Sequence, residues 1–249
     1  MNHTASQNTS SLSASPPCPL CAASQGAIFF EGTSGAFRDH PRTYFRCGIC
    51  DLIFAPASQL LSPQDEKAEY DRHQNSPSDQ GYRRFLSRLC EPLQDRLSDH
   101  SQGLDFGSGP GPTLSVMLEE AGHSVALYDP FYAPDASVLR QTYDFVTATE
   151  VVEHLHHPRR DLEQIWRCLK PGGWLGIMTK LAHSGDNLRD ENSASTPDSC
   201  CTTFATWHYK DDLTHVCFFS RKTFLWLSQL WRCQLTFIGN DVILLRKHG

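Results

Sequence analysis

Apolar residues recur along this chain with two periods, and the change from one to the other lays out its elements. Between about Ser62 and His100, Tyr82, Phe85, Leu86, Leu89, Leu93 and Leu97 fall three or four positions apart, one stripe of an amphipathic helix. From Gly103 onward short apolar runs alternate with amphipathic stretches, the pattern of a mostly parallel sheet with helices packed on it. Strands are predicted at residues 103–106, 124–128, 144–148 and 174–179, and two closing strands at 234–238 and 241–245. Helices are predicted over residues 113–121, closed by Gly122, and over the face Leu162, Ile165, Trp166 and Leu169, stopped by Pro171-Gly172-Gly173. A last helix runs from its cap at Ser220 to about Trp231.

Upstream the text is different. Residues 16–57 are short, Gly/Pro-punctuated and cysteine-bearing, with strand-like fragments at 27–31 and 43–46. The Ser/Thr/Asn-rich residues 1–15 read as a disordered tail. The chain therefore divides into that tail, a small cysteine module at 16–57, a helical linker or lid at 58–100, and an α/β domain at 101–249. A polar stretch at 183–203 reads as a long loop, an insertion or a lid. No internal repeat is visible.

Composition narrows the class. At 249 residues, 39% hydrophobic and 20% charged, the chain is ordinary globular material. Its net charge of −6 argues against a broad nucleic-acid footprint, which shows as a basic excess. No apolar run approaches the roughly 20 residues that span a bilayer, and residues 1–15 have neither the basic start nor the apolar core of a secretory signal. A reducing, cytoplasmic setting is expected, where clustered cysteines bind metal in preference to forming disulfides.

Leu104-Asp105-Phe106-Gly107-Ser108-Gly109-Pro110-Gly111 joins a strand to a helix, and its glycines allow backbone to approach a ligand closely. Nicotinamide-binding turns share such glycines. Asp105, however, sets a carboxylate where a cationic or ammonium-bearing ligand would sit, which suits no pyrophosphate. Asp129 closes the second strand, about where a ribose diol needs an acceptor.

With LDFGSGPG, ALYDP, YDFVTATEVVEHL and LKPGGWLGIMT in this order, the chain resembles the class I S-adenosylmethionine-dependent methyltransferases. The resemblance covers about residues 103–179 and the closing helix and strands. It implies a Rossmann-like α/β sheet, mostly parallel with an antiparallel last strand. It also implies S-adenosyl-L-methionine as cofactor. Asp105 and the backbone of Gly107, Ser108, Gly109 and Gly111 would hold the methionine end. Asp129 would bind the ribose hydroxyls, with Pro130 and Phe131 beside the adenine, and Ala148, Thr149 and Glu150 would line the methionine side. One departure stands out: only about a dozen residues lie between Asp129 and Tyr143, so the family's third strand must be very short.

Cys18-Pro-Leu-Cys21 and Cys47-Gly-Ile-Cys50 form a CxxC…CxxC pair. Four thiolates complete a closed tetrahedral site, read as structural zinc in a zinc-ribbon-like module. Iron, two disulfides or four free thiols are the alternatives. Similar knuckles precede the methyltransferase domains of certain sugar C-methyltransferases and ribosomal-RNA guanine methyltransferases, without a match long enough to lend a substrate.

Methyl transfer needs a base only when the acceptor must lose a proton, and histidine is the commonest choice near neutral pH. His154, in EVVEHL, sits at the rim where such sheets bind ligands. His215, in Thr-His-Val-x-Phe-Phe-Ser, lies in a segment that borders the acceptor pocket in similar enzymes. Both are catalytic candidates; the plain alternatives are a His154 that only fixes its loop and a His215 hydrogen-bonded inside one. Tyr70, His73, Tyr82, His208 and Tyr209 are candidate lid or substrate residues. His156, His157 and the Arg159-Arg160 pair read as solvated, and Cys200-Cys201 as incidental thiols. The leading expectation is a methyltransferase acting on a small or medium-sized metabolite. An RNA methyltransferase with a docking knuckle, or a non-catalytic binding protein, are the competing readings.

Overall fold

The computed structural model describes residues 15–72, 75–183 and 203–249. Residues 1–14 of the expected tail, His73, the Cys200-Cys201 pair and nearly all of the 183–203 loop lie outside them. In chain order the strands β1 (Gly26–Gly32), β2 (Arg42–Cys47) and β3 (Ile53–Phe54) come first. Helices α1 (Pro63–Tyr70) and α2 (Gln80–Gln94) follow, then β4 (Gln102–Phe106), α3 (Thr113–Glu120), β5 (Ser124–Tyr128) and β6 (Tyr143–Thr149). The remaining elements are α4 (Pro158–Arg167), β7 (Leu169–Met178), β8 (Cys217–Phe218), α5 (Arg221–Trp231), β9 (Gln234–Ile238) and β10 (Val242–Arg246).

Six strands form the main sheet in the order β5-β4-β6-β7-β10-β9. The first four are parallel, and β10 runs antiparallel to both of its neighbours. Side chains alternate across this sheet as the strand period requires. Phe145, Trp174, Met178, Val242 and Leu244 point to one face, where they meet Leu86, Leu89 and Leu93 of α2 and Leu114 and Leu118 of α3. Val146, Leu175, Ile177, Ile243 and Leu245 point to the other and meet Leu162 and Ile165 of α4 and Phe224 and Leu227 of α5. Leu89 and Leu93 are wholly buried, each worth about 1.5–3 kcal/mol by removal from water. The predicted helical stripe thus packs on the sheet, and its start is fixed by Asp79, whose carboxylate accepts from Gly81 N at 2.8 Å and Tyr82 N at 3.2 Å.

The third strand is absent, and this corrects the expectation that it would be very short. After β5 the chain closes a bridge between Asp129 and Ala133 and makes a 3-10 turn at Val138–Arg140. The reason is length: each parallel crossover needs about a dozen residues, and the 14 residues 129–142 between β5 and β6 are enough for one return.

A second sheet has the order β1-β2-β3-β8, antiparallel throughout. Its last member comes from far downstream: Ile53 pairs with Phe218 and Phe54 with Cys217. Tyr44 lies edge-on to Phe204 and Phe218, with ring centroids 5.5 and 5.4 Å away, so the two parts of the chain share one aromatic core. The side chains of the cysteine module are thus buried against the segment that carries His215.

Candidate active site

A cleft of about 810 Å³ opens at the carboxyl ends of β4, β5 and β6, within the range that holds cofactors and small ligands. The glycine turn forms its floor. Gly107 adopts φ +75°, and a Cβ there would stand 2.5 Å from Val151 Cγ2, so both conformation and packing demand glycine. Gly111 is pressed just as closely by the segment before α2: a Cβ would lie 2.2 Å from the Asn75 carbonyl oxygen. That segment also supplies Tyr82, whose hydroxyl accepts from Asn75 Nδ2 at 3.2 Å, and both residues line the cleft.

Asp129 organises the turn. Its Oδ2 accepts from Gly109 N at 3.0 Å, and Oδ1 from Phe131 N at 2.8 Å and Tyr132 N at 3.0 Å. An ionised carboxylate has about four acceptor sites, so three backbone donors leave room for one more. Asp105, at the end of β4, is buried and accepts from Thr147 Oγ1 at 2.7 Å. Burial pushes its carboxyl up to about 6, with the Thr147 hydroxyl opposing. Ser108 Oγ and Thr149 Oγ1, both on the cleft, are buried with no hydrogen-bond partner. Orphaned hydroxyls are costly unless something fills the site.

At the tip of β6, Glu150 holds φ +53°, a conformation uncommon outside glycine. Burial raises its pKa, and Lys180 opposes the shift. Glu153 lies behind it, fully buried, with Oε2 accepting from Thr179 Oγ1 at 2.9 Å and Oε1 from the Tyr209 hydroxyl. Burial, reinforced by Glu150, raises the Glu153 carboxyl to about 8.

This shift has a measurable consequence. An unfolded Glu153 ionises near 4.5, so the stability it contributes is fully present below that pH. It declines by about 1.4 kcal/mol per pH unit as pH rises towards 8. Asp105 acts in the same direction over a lower window, from 3.8 to about 6. Glu153→Gln keeps an oxygen for Tyr209 and is expected to flatten the fall in Tm between pH 6 and 8; an unchanged slope in thermal melts would refute the assignment.

Two histidines close the far half of the cleft. The rings of His154 and His215 meet edge to face with centroids 4.7 Å apart. Nδ1 of His154 lies 3.2 Å from the Thr214 carbonyl, and Nδ1 of His215 lies 2.5 Å from that of Tyr209. Carbonyls only accept, so both Nδ1 atoms carry the hydrogen. Glu153, His154 and His215 bring one donor atom each within 4.8 Å of one another. Burial pushes the Asp212 carboxyl up, but His215, with Nε2 at 3.8 Å, and the Thr214 donors outweigh it and leave its pKa below the ordinary value. Tyr70 covers this half, its hydroxyl donating to Glu66 Oε1 at 2.6 Å and its ring edge-on to His154.

The cleft thus gathers Asp105, Gly107, Ser108, Gly109 and Gly111 with Asp129, Pro130 and Phe131. Thr149, Glu150, His154, His215, Tyr70 and Tyr82 join them. Ala148 is instead wholly buried in β6 and does not line it. His208 is fully exposed beside Asp211, and Tyr209 is buried behind the wall. Sequence reasoning missed Glu153, Thr147 and Asp212. It also read His156 as solvated, whereas it is half-buried on the cleft with Nε2 3.6 Å from Glu66; Arg160 reaches the cleft too, with its side chain exposed as expected. The signal available for His156 was its place two residues beyond EVVEH, on the same rim.

The four cysteines form a second centre. Cys18 and Cys50 Sγ are 3.5 Å apart, Cys21 and Cys47 Sγ 3.4 Å, and all four lie within 4.8 Å. A disulfide needs about 2.05 Å, so these are thiols; four sulfurs about 2.3 Å from one zinc ion would stand about 3.8 Å apart. Ile49 N and Cys50 N donate to Cys47 Sγ at 3.4 and 3.5 Å, the support a thiolate ligand needs.

The family model described as a methyltransferase domain matches residues 74–230. A comparison with curated protein sequences finds no match. Among solved structures, the chain is similar to the 1,6-didemethyltoxoflavin-N1-methyltransferase of Burkholderia thailandensis, at 16% identity and TM-score 0.48, over 80% of this chain and 96% of that one. It is also similar to the PH0226 protein of Pyrococcus horikoshii, at 16% identity and TM-score 0.46, over 73% of this chain and 99% of that one. The family model spans more than half of the sequence and takes in the glycine turn, Asp129 and both histidines, and the chain belongs to the methyltransferase-domain family.

Proposed function

We propose that the protein is an S-adenosylmethionine-dependent methyltransferase that acts on a small or medium-sized metabolite in a reducing, cytoplasmic setting. The observation that carries this reading is the pairing of two orphaned hydroxyls, Ser108 and Thr149, with a glycine turn tied to Asp129. These groups fit a ligand with both hydroxyl and ammonium functions. The remaining acceptor site of Asp129 suits a ribose hydroxyl, and Asp105 and Glu150 suit positive charge. When bound, the cofactor supplies an electrophilic methyl group on a sulfonium.

Charge supports a metabolite over RNA. Glu66, Asp105, Asp129, Glu150, Asp161 and Asp212 line the cleft, with Arg160 as the one arginine and no lysine among the lining residues. Such a field attracts a cationic cofactor and repels a phosphate backbone.

In this reading the chain's own residues do three things. Gly107, Gly109 and Asp129 orient the cofactor, and fixed orientation is a large part of what a displacement reaction needs. Tyr70, Tyr82 and Asn75 cover the cleft and exclude water. His154 or His215, each holding its hydrogen on Nδ1, offers Nε2 to take a proton from an acceptor hydroxyl or amine. The cysteine centre, a closed set of four thiolates, would hold a structural zinc ion away from the chemistry.

Calorimetric titration tests the reading. One equivalent of S-adenosylmethionine or S-adenosylhomocysteine is expected to bind with micromolar affinity, while NAD gives no heat. Saturable heat from the dinucleotide, with none from either sulfur nucleoside, would overturn it.

A further inference from the structure

A buried arginine links the cysteine-bearing sheet to the histidine wall. Arg42, on β2, is 3% exposed. Its guanidinium donates to three backbone carbonyls, Nη1 to Leu213 O at 2.7 Å and His215 O at 3.3 Å and Nη2 to Gln59 O at 3.0 Å, and also interacts with the Tyr44 hydroxyl. A charge so deeply buried is tolerated because the rigid fork of donors meets several acceptors at once.

The placement of those acceptors matters. Leu213 and His215 flank Thr214, whose own carbonyl faces Nδ1 of His154 at 3.2 Å. His215 carries the second ring and turns its Nδ1 to Tyr209 O in the same loop. One guanidinium therefore grips the peptide segment on which both imidazoles rest. The neighbouring contacts reinforce it: Ala55 N donates to Val216 O at 2.9 Å, and the Ser220 hydroxyl donates to Asp51 Oδ2 at 2.6 Å, directly beside Cys50.

We propose that Arg42 is a positioning residue for the methyl-transfer site. It holds residues 213–215 so that His154 and His215 keep one tautomer and one spacing toward the acceptor half of the cleft. The cysteine module then supports the wall of the reaction chamber from behind and is not a docking appendage. This rests on the reading above that the far half of the cleft takes the acceptor.

The test needs no knowledge of the acceptor. Full-length protein labelled with nitrogen-15 histidine is examined by proton–nitrogen correlation spectra, with His154→Gln and His215→Gln assigning the two rings. Wild type is expected to give two protected Nδ1–H signals. In Arg42→Ala both should exchange at least about tenfold faster, the factor for losing one net hydrogen bond. The affinity for S-adenosylmethionine should stay within about threefold of wild type, since Arg42 does not line the cleft.

A folded Arg42→Ala with both signals still protected overturns the proposal. If far-UV circular dichroism shows that variant unfolded, Arg42→Gln decides: its shorter amide should give the same accelerated exchange, and unchanged exchange overturns the proposal. Failure of both variants to fold assigns Arg42 a purely structural role and also overturns it. Absence of heat from S-adenosylmethionine in wild type would sink the proposed function, while accelerated exchange in the variant would still support the coupling of Arg42 to the two rings.

Discussion

Cys50→Ser is expected to abolish binding of the proposed zinc ion and, with it, to unravel the N-terminal sheet. Cys50 is 1% exposed and its sulfur stands 3.5 Å from that of Cys18. β3 is only two residues long, and a module of about 40 residues cannot by itself bury enough surface to fold on hydrophobic contacts alone. Metal binding supplies on the order of 10 kcal/mol in small zinc modules, more than the net stability of many domains. Removal of one thiolate, or extraction of the ion with a chelator, should therefore expose Phe37, Tyr44 and Phe54, which are all buried in the native fold.

The damage should spread along a defined route. Among the described residues β8 pairs with β3 alone, and Trp207 and Phe204 pack on Phe218 and Tyr44. Trp207 fluorescence should shift to the red, and amide exchange should accelerate across residues 204–220. Amides of β4, β6 and β7 should keep most of their protection, because one face of these strands packs with α2 and α3 in a cluster that excludes the module, even though Val146 and Leu175 on the other face share a cluster with it. Purified protein with about one zinc per chain, released with those changes, meets the expectation. Metal-free protein with an intact near-ultraviolet spectrum and four thiols slow to react would refute the metal centre.

The sequence and the fold agree where a single period decides the outcome. The stripe from Tyr82 to Leu93 is a helix because its apolar positions follow a 3.6 repeat, and β4 with its glycine turn is legible because Gly107, Gly109 and Gly111 punctuate a strand–helix junction. The pairing of β8 with β3 was not legible. Cys217 and Phe218 are two residues in an unbroken apolar run, and nothing local says which sheet they join. Arg42 was silent for a related reason. An arginine in a strand of a polar module looks solvated, and only the long-range return of residues 213–215 buries it. Glu153 sat in plain view within EVVEHL, yet its burial depends on Tyr209 and Thr179, which converge from elsewhere in the chain. The site residues found by sequence are thus those whose backbone geometry is special. Glu153 and Thr147, both missed, act through partners distant in sequence.

The same distinction makes Asp129→Ala the sharpest test of the cofactor half. Asp129 lies at the end of β5 and is 7% exposed, and three backbone N–H groups from Gly109, Phe131 and Tyr132 converge on its carboxylate. Alanine abandons all three donors at once. Hydrogen bonds to a charged acceptor contribute about 1.5–3 kcal/mol each, and water entering the open cleft should recover part of that. A net loss of about 2–4 kcal/mol in stability is expected, measured by chemical denaturation. Binding should suffer more. Gly109, at φ +63°, is held against β5 by this carboxylate, so the turn loses its shape as the ribose loses its acceptor. S-adenosylmethionine affinity is expected to fall at least about 100-fold, the equivalent of about 2.7 kcal/mol. Asp129→Asn separates the two contributions. Its amide oxygen can still accept from Phe131 and Tyr132, which should restore most of the stability. Its amide nitrogen would face the Gly109 N–H, donor against donor, and affinity should stay reduced by about tenfold or more. An alanine variant that binds S-adenosylmethionine within about threefold of wild type would remove Asp129 from the cofactor site and leave it a turn-forming residue alone.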